Sequence, residues 1–334
     1  MVFCQLNRFL AYFVAINLLF ACQPEKQSVA EWPHAAVAVL DAAISKDGRF
    51  ALVSSINFGA AYWDLEKNAL KFQWKHSDNP DDAITAVNLS PDGGRAITAN
   101  KRTFIIWNTN SGKAYGYWQA PADIRAVAIS EKGRYVLLGL GDGRAIHIDM
   151  NTGRRLEFTG HRSEAVASVD LSANGAWAFT GGNDRRAILW NSKTGKPHQL
   201  FEHNTRVTKL KLGNDGKRAF TSGTLGNATI WNLQTGDKVS KLKLKKREYV
   251  ISAVAFSHDG RFLATGAPGK DISVWQVDSG ERTYQWRART RKQGKPSGAI
   301  IYAVGFTQND QFVLSESSAG FGEKWPMIKP PNAN

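Results

Sequence analysis

The chain has 334 residues, with 43 lysines and arginines against 29 aspartates and glutamates, which gives a formal net charge of +14. A basic balance of this size favours anionic partners such as acidic proteins, glycans or lipid head groups. The two cysteines, Cys4 and Cys22, both lie near the N-terminus. The rest of the chain therefore cannot form a disulfide, a cysteine-ligated metal site or a cysteine nucleophile.

Residues 1–21 are predicted to be a targeting segment. The apolar run Phe9–Phe20 is too short to span a bilayer comfortably. It leads into Leu19-Phe20-Ala21-Cys22, which resembles the lipobox of bacterial lipoproteins. That resemblance implies cleavage before Cys22, lipidation of Cys22, and an anchored position on the outer membrane facing the periplasm, because Gln23 is not the aspartate of inner-membrane retention. A plain secretory signal or an uncleaved anchor is the alternative.

The region 28–328 is built from one repeated unit, which is clearest in Gly160–Trp190. An apolar run over Val166–Leu171 leads to a turn at Asn174-Gly175, and two further short runs follow, the last ending at Trp190. Alternation with a period of two, interrupted by Gly and Asn turns, predicts an antiparallel meander. One meander cannot bury both of its faces, so we expect the copies to stack against one another.

Seven such units follow one another, and each ends on a large apolar residue. These residues are Trp63, Trp107, Ile148, Trp190, Trp231, Trp275 and Trp325. The gaps between them are 44, 41, 42, 41, 44 and 50 residues. A period of about 40–45 residues with four strands per repeat is typical of a β-propeller. We therefore predict an all-β fold, a single seven-bladed propeller.

The repeat resembles that of the WD40 family. In the unit Gly160–Trp190, the residues His161, Thr180, Asp184 and Trp190 stand at the positions of the family's structural hydrogen-bonded tetrad. The aspartate of this tetrad recurs once more, as Asp142 in the third unit. In four other units the position holds another residue, namely Asn57, Lys101, Leu225 and Gly269. The resemblance implies the fold and leaves the function open, because propellers host many unrelated activities.

The seventh unit leaves too little chain for a fourth strand. We predict that Ser28–Trp32 supplies it and closes the ring, which removes exposed sheet edges. Residues 22–27 then form a lipidated tether and residues 329–334 a C-terminal tail. An outer strand runs from the face with the turns between the first and second strands, here called the turn face, to the face with the inter-blade loops, here called the loop face. The tether should leave from the turn face.

Two basic segments in the fifth and sixth units are predicted to form a docking patch on the loop face. The residues are Lys245, Lys246, Arg247, Trp286, Arg287, Arg289, Arg291 and Lys292. Arginine and aromatic side chains frequently anchor interfaces, so the expected partner is an acidic protein or glycan of the cell envelope. The alternative is that these charges only keep the surface soluble.

No catalytic pattern stands out in the sequence. The seven histidines show neither of the common helical metal-binding spacings, and no phosphate-binding loop or nucleophile elbow is present. Turns such as Asn151-Thr152-Gly153 superficially resemble those of quinone-cofactor propellers, although the Ser-x-Asp-Gly turns fit the WD40 pattern better. We therefore predict a non-enzymatic scaffold, monomeric, without cofactor, metal or nucleic acid.

Two other functions stay open from the sequence. The first is an envelope hydrolase or lyase with a site in the propeller channel, which converging carboxylates there would favour. The second is a cytoplasmic scaffold, which applies if the N-terminal segment has been misinterpreted. The sequence names neither the partner nor the pathway.

Overall fold

The computed structural model describes residues 27–77, 79, 82–245, 250–293 and 296–327. They form seven antiparallel four-stranded sheets, each of which is one blade of a β-propeller. The described part contains one single-turn 3-10 helix, Glu131–Gly133, and no α-helix. This is the predicted all-β, seven-bladed fold.

None of the helical structure in the described residues is long and apolar enough to cross a membrane.

The first four blades follow one another along the chain. Blade 1 contains β2 (Val39–Ile44), β3 (Phe50–Ser55), β4 (Gly59–Asp64) and β5 (Ala69–Trp74). Blade 2 contains β6 (Ala86–Leu89), β7 (Arg95–Ala99), β8 (Thr103–Asn108) and β9 (Ala114–Gln119). Blade 3 contains β10 (Ile124–Ile129), β11 (Tyr135–Leu140), β12 (Ala145–Asp149) and β13 (Arg155–Phe158). Blade 4 contains β14 (Val166–Leu171), β15 (Trp177–Gly182), β16 (Arg186–Asn191) and β17 (Pro197–Glu202).

The last three blades complete the ring. Blade 5 contains β18 (Val207–Leu212), β19 (Arg218–Gly223), β20 (Ala228–Asn232) and β21 (Lys238–Lys241). Blade 6 contains β22 (Ala253–Phe256), β23 (Phe262–Gly266), β24 (Asp271–Gln276) and β25 (Arg282–Arg287). Blade 7 contains β26 (Ile301–Phe306), β27 (Phe312–Ser317), β28 (Phe321–Pro326) and the N-terminal β1 (Ala30–Pro33). The innermost strands of neighbouring blades contact each other around the whole circle, including β2 with β26.

The N-terminal strand closes the ring, as predicted, although it begins two residues later than the sequence analysis placed it. β1 pairs antiparallel with β28, from Ala30 opposite Lys324 to Pro33 opposite Phe321. Ala30 lies beside the turns at Asp47–Arg49 and 307–309, so β1 starts at the turn face. The chain therefore enters the ring from the turn face and reaches the loop face at Pro33.

The Ser-x-Asp-Gly turns hold the first and second strands together. In blade 1, Ser45 Oγ donates to Asp47 Oδ1 at 2.5 Å and accepts from the backbone N–H of Phe50 at 2.9 Å. Gly48 takes a φ of +71°, and a Cβ there would approach the carbonyl oxygen of Phe306 to 2.6 Å. Only glycine fits this turn easily, because it combines a left-handed backbone with close packing against blade 7.

The hydrophobic core lies between the blades. At four of the junctions, an aromatic residue of the outer strand of one blade packs on the tryptophan near the end of the third strand of the next blade. The centroid distances are 5.1 Å for Trp74 and Trp107, 4.7 Å for Phe158 and Trp190, 4.8 Å for Phe201 and Trp231, and 6.0 Å for Trp286 and Trp325. These pairs make each blade depend on its neighbour for burial of its large side chains.

Candidate functional site

The four residues at the tetrad positions of blade 4 lie in one hydrogen-bonded chain. His161 Nδ1 is 3.0 Å from Asp184 Oδ1, and His161 Nε2 is 2.7 Å from Thr180 Oγ1. Trp190 Nε1 donates to the same Thr180 oxygen at 2.8 Å. His161 and Thr180 are fully buried. The chain of hydrogen bonds therefore ties the loop entering blade 4 to β15, to β16 and to the turn between these two strands.

Four other blades retain part of this arrangement. The indole N–H of the closing tryptophan donates to a hydroxyl in Thr98–Trp107 at 2.8 Å, Thr221–Trp231 at 2.7 Å, Thr265–Trp275 at 2.8 Å and Ser315–Trp325 at 3.0 Å. In blade 2 the histidine is also present, because His76 Nε2 lies 2.8 Å from Thr98 Oγ1. His76 was not predicted from the sequence as a member of this arrangement. Its spacing hides it, because His76 precedes Trp107 by 31 residues, whereas His161 precedes Trp190 by 29.

The structure corrects the prediction for Trp286. Its side chain is only 2% exposed and stacks between Tyr284, at 5.6 Å, and Trp325, at 6.0 Å. It cannot anchor a partner from the surface, since it fills the gap between blades 6 and 7. The sequence carried a signal for this, because aromatic residues recur near the ends of the outer strands.

Arg291 is also committed to the fold. Its guanidinium donates to the carbonyl oxygens of Ala319 at 2.8 Å, Ala35 at 2.9 Å and Val37 at 3.1 Å, and to that of Ala36. These contacts fasten the chain that follows β1 to the turn between β27 and β28. The prediction that Arg291 presents its charge to a partner is therefore corrected.

Arg289 holds the same closing strand from the other side. Its side chain forms an ion pair with Glu31 in β1, and its backbone N–H donates to both carboxylate oxygens of Glu323, at 3.1 and 3.3 Å. Arg287 Nε lies 3.8 Å from the buried Asp271 carboxylate. The Arg289 side chain stays 46% exposed despite this ion pair, so its docking role remains a prediction, and the charge of Arg287 is partly compensated within its own blade.

The remaining residues of the predicted patch are Lys245, Lys246, Arg247 and Lys292. Lys292 is exposed, and Lys245 already interacts with another part of the chain. Lys246 and Arg247 lie outside the described residues, as does Cys22. The structure thus leaves Lys245, Arg287 and Lys292 as the described cations of the original patch that are not fixed to the closing strand.

Buried acids accompany these arginines at the seam between blades 7 and 1. His34 Nδ1 lies 2.8 Å from Glu316 Oε1, and His34, Glu316 and Glu323 are all less than 5% exposed. Burial raises the pKa of Glu323 to about 7, with the charges of Glu31 and Glu316 adding to the rise while the Arg289 N–H and charge oppose it. We call His34, Arg289, Arg291, Glu316 and Glu323 the closure cluster.

The seven inner strands surround a channel of about 800 Å³. In five blades the inner strand bulges near its loop-face end, where one extra residue faces the ring centre. These residues and the residues at the corresponding position of the other two blades form the layer of the channel wall nearest the loop face. The layer consists of Leu40, Thr85, Arg125, Ala167, Thr208, Ser252 and Tyr302. We call this layer the channel mouth.

Two of the four acidic residues that line the channel, Asp41 and Asp170, link neighbouring blades. Asp41 Oδ2 accepts the backbone N–H of Val87 at 2.9 Å, and Asp170 Oδ2 accepts that of Leu212 at 2.8 Å. Asp170 Oδ1 also forms an ion pair with Lys211 Nζ at 2.9 Å. These two acids belong to blades 1 and 4, and each is engaged in holding its blade to the next one.

Two cations near the mouth stand apart from these pairs. Arg125, in blade 3, is exposed, and Lys209, in blade 5, is half-buried one step further in. Neither side chain has a hydrogen bond or an ion pair within the described part of the chain. Burial raises the pKa of Asp41 to about 6, and the charge of Lys209, from across the channel, opposes this rise.

The described ranges contain no candidate metal site. No group of three or more His, Cys, Asp or Glu side chains within them is arranged to hold a metal ion. Burial lowers the pKa of His147 and of His203 to about 4, so these two histidines are poor general bases at neutral pH.

Comparisons with known proteins agree with this architecture. The family model "WD domain, G-beta repeat" matches residues 154–191 and 238–276, the first of which contains the hydrogen-bonded chain of blade 4. The chain is 26% identical to Autophagy-related protein 16 of Arabidopsis thaliana over 159 residues, 47% of this chain and 30% of that protein. It is 23% identical to Transducin-like enhancer protein 2 of Mus musculus over 263 residues, 76% of this chain and 32% of that protein. The chain thus contains WD40 repeats and spans about a third of the length of these relatives.

Proposed function

We propose that this protein is a non-enzymatic scaffold that presents its loop face to another protein. The observation that carries the proposal is the closed ring of seven four-stranded sheets, in which residues 154–191 and 238–276 match the WD-repeat model. Such a ring holds many loops in fixed relative positions, which lowers the entropy cost of binding. Propellers of this type commonly serve protein interaction.

The titratable groups of the described residues support a non-enzymatic role. His161 and Asp184 bind each other within blade 4, and Asp41 and Asp170 bind backbone N–H groups of the next blade. A general acid or base needs access to the proton that it transfers. These groups are instead engaged in holding the ring together.

We further propose that the scaffold is a lipoprotein of the bacterial envelope, anchored through Cys22 to the outer membrane and facing the periplasm. This part rests on the lipobox-like Leu19-Phe20-Ala21-Cys22 and on the apolar segment before it. Because β1 starts at the turn face, a tether preceding it would leave the turn face toward the membrane. The loop face would then point away from the bilayer.

The partner is proposed to be an acidic protein or glycan of the envelope. The remaining cations of the predicted patch, Lys245, Lys246, Arg247, Arg287 and Lys292, are its proposed contacts on blades 5 and 6. The net charge of +14 supports an anionic partner. Arg289, Arg291 and Trp286 are left out of this set because they maintain the ring.

Crosslinking in intact cells, with partner identification by mass spectrometry, tests the scaffold. We expect the wild type to capture a specific envelope protein, and we expect a variant with Lys245, Lys246, Arg247 and Lys292 changed to Glu to lose it. The matched control variant carries Glu in place of Lys193, Lys196 and Lys217, three exposed residues of the turn face. Equal capture by the loop-face variant would remove these residues from the interface, and capture of no protein by either would contradict the scaffold.

Lipidation is tested separately with Cys22→Ser. We expect the wild type to incorporate labelled palmitate and to sediment with outer-membrane vesicles, and the variant to do neither. A wild-type protein that carries no lipid, or that retains Met1 after export, would contradict the envelope proposal without affecting the scaffold.

A further inference from the structure

The outer strand of each blade is an edge of its sheet, because it is hydrogen-bonded to one neighbouring strand only. Such an edge presents unpaired backbone N–H and C=O groups and can pair with a strand of another molecule. Proteins commonly prevent this pairing with a charged residue or a proline in the edge strand. The outer strands of this ring differ in that protection.

Six of the seven outer strands of the described chain contain a charged residue, a proline or both. These residues are Lys71 in β5, Arg155 and Glu157 in β13, Pro197 and Glu202 in β17, Lys238 and Lys241 in β21, Arg282 and Arg287 in β25, and Glu31 and Pro33 in β1. β9, whose sequence is AYGYWQ, contains neither. The edge of blade 2 is therefore open to pairing with another strand.

The exposed groups of β9 suit such pairing. Tyr115 and Tyr117 are each 59% exposed. The backbone N–H of Ala120 donates to the carbonyl oxygen of Arg102 in blade 2, at 2.7 Å. Because the backbone groups of successive residues in an edge strand alternate in direction, those of Tyr117 and Gln119 point away from β8. A strand laid beside β9 would meet these groups.

The charges at the two ends of β9 define the chemistry of the added strand. Lys113 directly precedes β9 and is exposed, and its side chain has no hydrogen bond or ion pair among the described residues. At the other end, Lys101 and Arg102 both approach the Asp123 carboxylate, at 3.6 and 3.1 Å. A charge in the middle of the added strand would find no counter-ion on β9. The strand that fits is uncharged where it pairs and has a carboxylate beside Lys113.

We propose that β9 binds an extended, uncharged segment of a partner protein as a fifth strand of blade 2, with an acidic residue of that segment beside Lys113. The proposal deepens the scaffold function and rests on it, since the segment would belong to the scaffold's protein partner. Backbone hydrogen bonds with Tyr117 and Gln119 supply the affinity, and the exposed rings of Tyr115 and Tyr117 contact side chains of the segment.

A second copy of this chain suits the edge less well. Two copies of β9 related by a two-fold axis would pair antiparallel. The loop face of one ring would then lie beside the turn face of the other. With the tether leaving from the turn face, as proposed above, the two copies could not both be anchored to one bilayer.

Fluorescence anisotropy with the mature protein tests the proposal. The probe is a fluorescein-labelled peptide of alternating Thr and Val that ends in Glu, and the matched peptide is N-methylated at every residue, which removes its hydrogen-bond donors. We expect wild-type binding to the unmethylated peptide only. Tyr117→Pro removes an N–H that points away from the sheet, and it should weaken binding about tenfold or more. Tyr117→Lys introduces the missing edge charge and should have a similar effect.

The matched control is Leu200→Pro in β17. Leu200 lies opposite Ile188 as Tyr117 lies opposite Ile105, so it holds the corresponding position of blade 4. This variant should bind the peptide as the wild type does. Lys113→Met should weaken binding about two- to threefold, because exposed charge contacts are worth little. Thermal unfolding of each variant shows whether it is folded.

Four results would overturn the inference. They are no binding of the unmethylated peptide by the wild type, equal binding of the methylated peptide, equal binding by folded Tyr117→Lys, and a wild-type dimer in sedimentation equilibrium that Tyr117→Lys abolishes, which would make a second copy the occupant. If the peptide fails to bind while crosslinking in cells still captures a partner, only this inference is wrong. If crosslinking captures no partner, the scaffold proposal itself is wrong.

Discussion

Two basic regions of the loop face look alike in sequence and differ in the structure. The segment after β25 carries Arg289 and Arg291, whose charges are bound by Glu31 and by the carbonyl oxygens of residues 35–37. At the channel mouth, Arg125 is exposed and has no hydrogen bond or ion pair among the described residues, and Lys209 faces the Asp41 carboxylate across the channel. The first region closes the ring, whereas the cations of the second are not bound to the closing strand.

The comparison teaches that a count of cations does not identify a binding surface. A guanidinium placed near unpaired backbone carbonyls will bind them, because each such hydrogen bond to a charged group is worth about 1.5–3 kcal/mol. What distinguishes the two regions is therefore the presence of internal acceptors. Each prediction below measures how far a charged group supports the fold.

The largest effect is expected for Arg291→Met. The substitution removes the donors that hold residues 35–37 and Ala319, and it leaves their carbonyl groups without partners. We expect a loss of about 2–4 kcal/mol in the free energy of unfolding, measured by urea denaturation. The exposed neighbour Lys292→Met should change stability by no more than about 0.5 kcal/mol. Similar losses in both variants would show that Arg291 is an ordinary surface cation.

The second prediction concerns the pH dependence of the closure cluster. Because the folded-state pKa of Glu323 is raised to about 7, its ionisation opposes folding. Its contribution to stability is present below about pH 4.3, the ordinary pKa of glutamate, and is lost as the pH rises to about 7. Glu323→Gln keeps an acceptor for the Arg289 N–H.

We therefore expect Glu323→Gln to exceed the wild type in unfolding free energy by about 1–3 kcal/mol at pH 8 and to match it near pH 4. Urea unfolding at the two pH values measures this difference. Glu202→Gln, which removes an exposed carboxylate 3.7 Å from Arg186, should show no such dependence. A Glu323→Gln variant that is less stable than the wild type at pH 8 would contradict the argument.

The third prediction concerns Asp41 in the channel wall. Burial raises the pKa of this carboxyl to about 6, so its ionisation opposes folding, and its contribution to stability is lost as the pH rises from about 4 to about 6. Asp41→Asn keeps an acceptor for the Val87 N–H. We expect the variant to exceed the wild type in unfolding free energy by about 1–3 kcal/mol at pH 8 and to match it near pH 4, measured by urea denaturation.

Tyr302 also lines the channel and should not titrate in this window. Burial and the Asp41 charge both raise the pKa of Tyr302, so it stays neutral. Asp170 is held as an ion pair with Lys211. A pH dependence that persists in Asp41→Asn would therefore point to a group outside the channel.

The smallest effect is expected for Arg162 and Arg206, which are exposed on the loop face. Neither side chain has a hydrogen bond or an ion pair among the described residues. Arg162→Gln and Arg206→Gln should therefore each leave the unfolding free energy within about 0.5 kcal/mol of the wild type in urea denaturation. A larger loss in either variant would show that its guanidinium group supports the fold.

Much of the fold could be predicted from the repeat. The closing residues from Trp63 to Trp325 lie at the ends of the third strands of all seven blades, and the N-terminal strand completes the last. Alternation and turn chemistry are local properties, so they are legible in one sequence. The packing of Trp286 on Trp325 was missed because it depends on which blade follows which in space.

The sequence by itself determined the number of blades, the turns that join their strands and the strand that closes the ring, because these follow from periodicity and from residues that favour bends. Only the tertiary structure decided which cations are available. Arg291 meets carbonyl groups that lie more than 250 positions away in the chain, whereas Lys209 faces an open channel. Pairing of a charge depends on groups brought together by folding, and their distance along the chain conceals them.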